Sequence, residues 1–108
     1  MKVYFLRTCP ACPEEYDIYT DSGKQIAYMR LRWGTLRLET PSHQGKLIYI
    51  DKFEDSMKGA FDNQEERDFY LGVAVDTLME ELDLGDDISY EVCDDIDWLN
   101  KEIYGDGS

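Results

Sequence analysis

The feature that most constrains the fold of this 108-residue chain is a change in the spacing of its apolar residues near the midpoint. Over residues 1–52, apolar and polar residues alternate in short runs, which is the period-two pattern of strands with one buried face. Over residues 62–84, apolar residues recur every three or four positions, as in an amphipathic helix. A chain of this length supports one core, so the two patterns predict a sheet and a helix packed in a single domain.

Five strands are predicted in residues 1–52: KVYFLR, EYDIYT, KQIAYMRLRW, TLRLET and KLIYID. Turn signals separate them at Asp21-Ser22-Gly23 and at Gly34, and Pro41 ends the fourth strand. Consecutive strands joined by such short turns indicate an antiparallel meander of about five strands. The third and fourth strands share an apolar face that we expect to form the core: Met29, Leu31, Trp33, Leu36 and Leu38.

The long helix predicted over residues 62–84 has Asp62 or Asn63 as its N-cap and ends at Gly85. Its apolar stripe is expected to cover the sheet and consists of Leu71, Ala74, Val75, Leu78 and Leu82. Residues 86–104 form an acidic C-terminal element, interpreted as the strand ISYEV and the short helix DDIDWLNKEIYG, and residues 105–108 form a frayed tail. The predicted fold class is therefore α+β, a meander packed against one long helix and followed by a short acidic strand and helix.

The formal net charge of −13 is concentrated in the second half of the chain. Residues 1–52 contain eight basic and six acidic residues, whereas residues 53–108 contain three basic and 18 acidic residues. We expect such a chain to repel nucleic acids and anionic membranes and to attract basic surfaces. It contains no apolar run of transmembrane length and no signal-peptide pattern, so we expect a cytoplasmic protein, in the host cytoplasm if a phage encodes it.

Acidic residues on the predicted helix form a stripe opposite the apolar one, which we call the acidic ridge. At intervals of three or four residues, interrupted by Gly72, it contains Glu65, Asp68, Asp76, Glu80 and Asp83. Like charges at this spacing destabilise an isolated helix by about 0.2–0.5 kcal/mol per pair, and Arg67 is the only basic residue between positions 59 and 100. The ridge is therefore either a solvated face that keeps the protein soluble or a surface for binding a partner, and we favour binding. Further acidic candidates for the same surface are Asp86, Asp87, Asp94 and Asp95.

The cysteine pair in CPACP, Cys9 and Cys12, has three possible interpretations. A redox dithiol needs a helix directly after the pair, but Pro13 and the alternation that follows predict a strand. A structural zinc site needs four ligands, for which this sequence offers Cys9, Cys12, His43 and Cys93. In the third interpretation the prolines stiffen a connection between strands, and the cysteines pack there as small apolar residues.

The chain carries no phosphate-binding glycine loop, no HExxH and no GxSxG motif, so we expect no enzymatic activity. In size and one-sided charge it resembles the DNA-mimicking inhibitors of restriction and CRISPR nucleases that phages and mobile elements produce. The segment CPACPEEYDIYTDSGKQIAYMRLRWG is also similar to segments of small phage proteins. The resemblance implies a non-enzymatic inhibitor, monomeric or dimeric, that occupies the nucleic-acid channel of a basic protein. It implies no cofactor and no direct contact with nucleic acid or membrane.

The alternative function is a small zinc-binding or thiol-dependent module built on Cys9 and Cys12. The outward face of the third and fourth strands also carries Arg30, Arg32 and Arg37. We expect these arginines to form ordinary cross-strand pairs with Glu15, Asp17 or Glu39.

Overall fold

The computed structural model describes residues 1–9, 13–85, 87–94 and 96–104, apart from the side chains of Cys9, Glu102 and Tyr104. The strands are β1 (Lys2–Cys9), β2 (Glu14–Thr20), β3 (Gln25–Arg32), β4 (Thr35–Thr40), β5 (Lys46–Lys52) and β6 (Ser89–Cys93). The helices are α1 (Gln64–Leu82) and α2 (Ile96–Tyr104). All six strands belong to one sheet with the order β5-β4-β3-β2-β1-β6. The predicted α+β class is confirmed.

The sheet is mixed, because β6 lies parallel to β1 while every other neighbouring pair is antiparallel. After five alternating strands, β5 runs in the same direction as β1. Helix α1 then carries the chain back along the sheet, so the next strand starts again in that direction. The antiparallel meander predicted for residues 1–52 is therefore correct, but the description of the whole sheet as a five-stranded meander is incomplete.

Helix α1 covers one face of the sheet, and the main core lies between them. It buries Leu71, Ala74, Val75 and Leu78, as the apolar stripe predicts, and Leu82 packs at the margin. The sheet contributes a set of fully or almost fully buried side chains from β1 to β4: Val3, Phe5, Tyr16, Ile18, Ala27, Met29, Leu31, Leu36 and Leu38.

The boundaries of α1 lie within two residues of the predicted ones. The side chain of Asn63, the N-cap, accepts a hydrogen bond from the backbone N–H of Glu66. The Glu66 carboxylate in turn accepts a bond from the backbone N–H of Asp62, just before the N-cap, so the helix start is held by a reciprocal pair of bonds like that of a capping box. The helix ends at Leu82, before the predicted Gly85, and its C-cap Asp83 adopts a left-handed conformation with φ 53°.

Trp33 does not face the core, contrary to the sequence prediction. Strand β3 ends at Arg32, and Trp33 and Gly34 form the two-residue turn that leads into β4. Both turn residues have positive φ, 54° and 68°. Since a turn residue does not follow the alternation of the strand before it, Trp33 is 60% exposed.

A second apolar cluster lies on the opposite face, where α2 contacts β1 and β6. It consists of Tyr4, Leu6, Cys93 and Leu99. Strand β1 is thus buried on both faces, in agreement with its continuous apolar sequence. The pattern of the meander had predicted only one buried face.

Candidate functional site

The acidic ridge lies along the solvent side of α1. Glu65, Asp68, Asp76 and Glu80 are exposed on the helix, and Asp83 is exposed at its C-cap. With a rise of about 1.5 Å per residue, these carboxylates extend over about 27 Å at roughly one per helical turn. A strand of B-DNA carries one phosphate charge per about 3.4 Å of its axis, so the ridge is a sparser but similarly linear row of negative charge.

The five ridge carboxylates form no ion pair among the residues that the structure describes. Asp68 accepts a hydrogen bond of 2.7 Å from the amide of Gln64, which is neutral. The paired acids on the same helix lie outside the ridge: Glu66, whose carboxylate lies 3.0 Å from Lys58 Nζ, and Glu81, whose carboxylate lies 4.0 Å from Lys46 Nζ. The charge of the ridge is therefore not neutralised within the described part of the molecule.

Phe69 flanks the acidic ridge and was not among the predicted site residues. It follows Asp68 and lies one turn after Glu65 on α1. Its side chain is 64% exposed, and its ring meets that of Tyr70 edge-on with 5.0 Å between centroids. Aromatic side chains are enriched at protein interfaces. The sequence did contain the signal, because Phe69 lies outside the apolar stripe.

A second carboxylate site involves the inner side of α1 and was also missed. Glu14, at the start of β2, is only 3% exposed. Its carboxylate accepts hydrogen bonds from Arg67 Nε at 2.6 Å and Nη2 at 3.1 Å, a bidentate arrangement. It also accepts bonds from the Tyr16 hydroxyl at 2.5 Å and the Phe61 backbone N–H at 3.1 Å. Arg7 completes the cluster, because its Nη2 donates to the Tyr16 hydroxyl at 3.0 Å and lies 3.7 Å from a Glu14 carboxylate oxygen.

These contacts move two pKa values in opposite directions. Burial alone would raise the pKa of Glu14, but the hydrogen bonds from Arg67, Tyr16 and the Phe61 amide outweigh it, so this pKa is lowered. Burial, together with the bond to the Glu14 carboxylate, raises the pKa of Tyr16 to about 12. Glu14 is thus an ionised, fully paired carboxylate that joins β2 to α1, and we assign it a structural role.

The acidic candidates of the C-terminal element do not continue the ridge as one stripe. Asp87 and Asp94 are exposed, but they lie just before and just after β6, at opposite ends of that strand. Asp86 and Asp95 lie outside the described residues. The ridge on α1 is therefore the longest row of carboxylates on one described element.

The structure separates two of the four predicted zinc ligands. Cys93 is buried on β6, whereas His43 is exposed and its ring packs against that of Tyr28 on β3, with 4.8 Å between centroids. Strands β1 and β2 lie between β6 and β3, a separation of about 14 Å at 4.8 Å per strand. One zinc ion with bonds of about 2 Å cannot bind both side chains.

Cys12 and the side chain of Cys9 lie outside the described part of the chain, so a metal or thiol site built on these two residues stays a prediction. Within the described residues, no three histidine, cysteine or acidic side chains are grouped as a metal ion would require. The described residues therefore offer no other set of metal ligands.

The arginines of the third and fourth strands lie where the sequence placed them, but they are less completely paired than expected. Arg37 Nε lies 3.7 Å from a Glu39 carboxylate oxygen on the same strand. Arg30 stands directly opposite both Glu15 and Arg37, yet neither Arg30 nor Arg32 forms an ion pair with any described carboxylate. The Glu15 carboxylate accepts hydrogen bonds from Thr8 and Tyr28 instead.

The described geometry is that of a single acidic α+β domain with a charged helix on its surface. No protein-family model, no curated protein and no solved structure matches the chain. Neither described helix combines the length and the apolar content needed to cross a bilayer.

Proposed function

We propose that this chain is a non-enzymatic inhibitor whose acidic ridge replaces nucleic-acid phosphates in the cationic channel of a nucleic-acid-binding protein. Proteins with such channels include CRISPR and restriction nucleases. The observation that supports the proposal is the row of exposed carboxylates on α1 that has no cation to neutralise it among the described residues. Such a row costs helix stability, and a cationic partner that binds it would offset this cost.

Phe69 strengthens the proposal, because interfaces combine charge with a few apolar anchors. Charged groups steer association and set the orientation of the partners, while buried aromatic side chains slow dissociation. Phe69, 64% exposed beside Asp68, supplies such an anchor at the N-terminal end of the ridge. The interface we propose is therefore centred on Phe69 and Asp76 and runs along α1.

The proposal predicts that binding depends on the position of the charges as well as on their number. We would measure inhibition of DNA cleavage and binding kinetics for purified CRISPR and restriction nucleases. The test variant is Asp76→Lys/Glu80→Lys on the ridge. Its matched control is Asp21→Lys/Glu54→Lys, which changes the net charge equally at exposed positions away from α1. Both variants should fold, since all four side chains are exposed and form no described ion pair.

We expect the ridge variant to bind about tenfold or more weakly than the parent, mainly through slower association, and the control to bind almost as well. Binding of the parent should weaken steeply with salt, since the Debye length at physiological ionic strength is about 8 Å. Phe69→Ser should bind more weakly through faster dissociation, with unchanged salt dependence. DNA should compete with the parent for the nuclease.

Three results would contradict the proposal. One is a ridge variant that inhibits as well as its parent, and another is an equal loss in the ridge variant and the control, which would indicate net charge alone. The third is a ternary complex in which the nuclease holds this protein and DNA together in its channel.

A further inference from the structure

The turn between β3 and β4 carries a residue that the fold does not explain. With positive φ at both central positions, Trp33-Gly34 is a type I′ turn, which favours asparagine, aspartate or glycine at its first position. A bulky side chain with positive φ is a conformational outlier. Such outliers concentrate at ligand-binding positions, where the function of the side chain offsets its conformational cost.

The turn cannot relax that conformation, because the loop after β5 holds it. Gly34 N–H donates to the Lys58 carbonyl at 2.8 Å, and its own carbonyl accepts from Phe53 N–H at 2.7 Å. A Cβ at Gly34 would lie 2.5 Å from the Asp55 carbonyl oxygen, so the loop packs directly on the turn. The loop after β5 therefore holds the turn in the conformation that exposes Trp33 to solvent.

An open cavity of about 290 Å³ adjoins the exposed indole. It is lined by Pro13, Arg32, Trp33, Met57 and Gly59. Met57 is 68% exposed, and its backbone N–H donates to the Asp55 carboxylate at 2.9 Å, which orders this part of the loop. The cavity is large enough for one apolar side chain of a partner but small for a complete drug-sized ligand.

Arg32, which lines the cavity, belongs to a sheet face that carries further basic side chains. Arg30 and Arg37 stand directly opposite each other on β3 and β4, an arrangement that is unfavourable for like charges. Thr35 pairs with Lys52, which places Lys52 on the same face in the row that contains Arg32. Among the described residues, no carboxylate lies within ion-pair distance of Arg30, Arg32 or Lys52. In a chain of net charge −13, this is a local concentration of cations without a described ion pair, and the Arg32 guanidinium lies over the Trp33 ring, 5.6 Å from its centroid.

We propose that this surface, the Trp33 corner, binds an acidic peptide segment of a protein partner. The corner consists of Pro13, Arg30, Arg32, Trp33, Arg37, Lys52 and Met57. An apolar side chain of the segment enters the cavity between Trp33 and Met57, and its carboxylates bind the guanidinium and ammonium groups beside it. Tryptophan, methionine and arginine are among the residues enriched at protein interfaces, and tryptophan and arginine are frequent hot-spot residues.

Charge complementarity favours a short acidic segment over a nucleic-acid strand. Acidic side chains lie next to residues of the corner, with Glu15 directly opposite Arg30, and Glu54 and Asp55 in the loop before Met57. They would repel a continuous row of phosphates leaving the cavity. A peptide can place neutral residues at those positions. The Trp33 corner and the acidic ridge therefore select partners of opposite charge, and this inference does not depend on the proposed function of the ridge.

The substitution Trp33→Asn tests the inference, because folding and binding should respond in opposite directions. Asn-Gly is a preferred type I′ sequence, so we expect unfolding in urea to show equal or greater stability than in the parent. Binding would be measured by fluorescence anisotropy at physiological ionic strength. The probe is a short fluorescein-labelled peptide of glutamates with one central leucine.

We expect Trp33→Asn to weaken binding of this peptide by about tenfold or more, as for an interface hot spot. Arg30→Ala/Arg37→Ala should weaken it and reduce its salt dependence. The control Lys24→Ala removes an exposed cation at the turn between β2 and β3 and should leave binding unchanged. The Asp76→Lys/Glu80→Lys variant should retain binding, which separates this test from that of the ridge.

The inference is overturned if the parent does not bind the peptide or if Trp33→Asn binds it equally. Equal binding of peptides with glycine in place of leucine, or lysine in place of glutamate, would overturn it too. Tighter binding of a single-stranded oligonucleotide of equal charge, lost in Trp33→Asn, would instead make the corner a nucleic-acid site.

Discussion

Glu14 and the carboxylates of the acidic ridge lie on opposite sides of α1 and in opposite environments. Glu14 is buried and receives four hydrogen bonds, two of them from Arg67 of the same helix. Asp76 and Glu80 are exposed, and no described cation reaches them. On its inner side the helix binds Glu14, a carboxylate that stabilises the fold. On its outer side it carries the ridge carboxylates, which make no stabilising ion pair with a described residue.

The difference shows how the location of a charge indicates its role. A buried carboxylate must be paired, since its desolvation would otherwise destabilise the fold by several kcal/mol. An exposed one remains hydrated and can be present without a partner, at a cost of only a few tenths of a kcal/mol. The buried charge is therefore explained by the structure itself, whereas the ridge needs an explanation outside it.

Among variants that test this comparison, the largest loss of stability should come from Arg67→Met, which removes the bidentate cation of Glu14. We expect a loss of about 3 kcal/mol or more in the free energy of unfolding, measured in urea. Lys46→Met is the control, because Lys46 is 76% exposed in its 4.0 Å pair with Glu81 and should cost less than about 1 kcal/mol. Equal losses in the two variants would show that Glu14 is not held as the structure indicates.

A smaller effect should appear in the pH dependence of stability. The pKa of Glu14 is lowered in the fold by hydrogen bonds that outweigh its burial, so the unfolded chain takes up the proton first. The stabilisation is complete above the unfolded pKa of about 4.3 and is lost as the pH falls through the folded pKa. Compared with Glu14→Gln in urea, the parent should be more stable at neutral pH, and this difference should narrow in acid.

Asp17 provides the contrasting case for that measurement. Burial and the nearby Glu15 raise its pKa, so the fold favours the protonated form and the Asp17 contribution has the opposite sign. Stability is therefore lost as the pH rises from the unfolded pKa of about 3.9 through the folded value. The difference between the parent and Asp17→Asn should change with pH in the opposite sense from that of Glu14→Gln. Parallel changes would mean that the two carboxyls are not distinguished by their surroundings.

The smallest effect concerns the ridge. Glu80→Lys replaces a like-charge pair with an Asp76–lysine pair at i,i+4 in the favourable orientation, and should raise stability by about 0.3 kcal/mol. Glu54→Lys, in an exposed loop, should change nothing measurable. A clear loss in Glu80→Lys would reveal an intramolecular contact of Glu80 and weaken the view that the ridge is available for binding.

The periodicity of the sequence predicted the elements well because each element obeys a local rule. The alternation in EEYDIYT places Glu14, Tyr16 and Ile18 on one face, and all three are buried. What it could not predict was the partner of Glu14, since Arg67 lies 53 residues away and is brought there only by the crossover of α1. Trp33 was misplaced because the alternation was extended one residue beyond the strand, into a turn whose conformation the loop after β5 stabilises.

The sequence by itself determined the fold class, the meander of β1–β5, the buried stripe of α1 and the exposure of the ridge. Each of these depends on the spacing of apolar residues within a single segment, because that spacing decides whether a helix or a strand can bury them on one face. Only the tertiary structure decided the parallel pairing of β6 with β1, the clamp of Arg67 on Glu14, the separation of His43 from Cys93, and the Trp33 corner. These features join segments that are distant in the chain, and their geometry depends on how the packed elements meet.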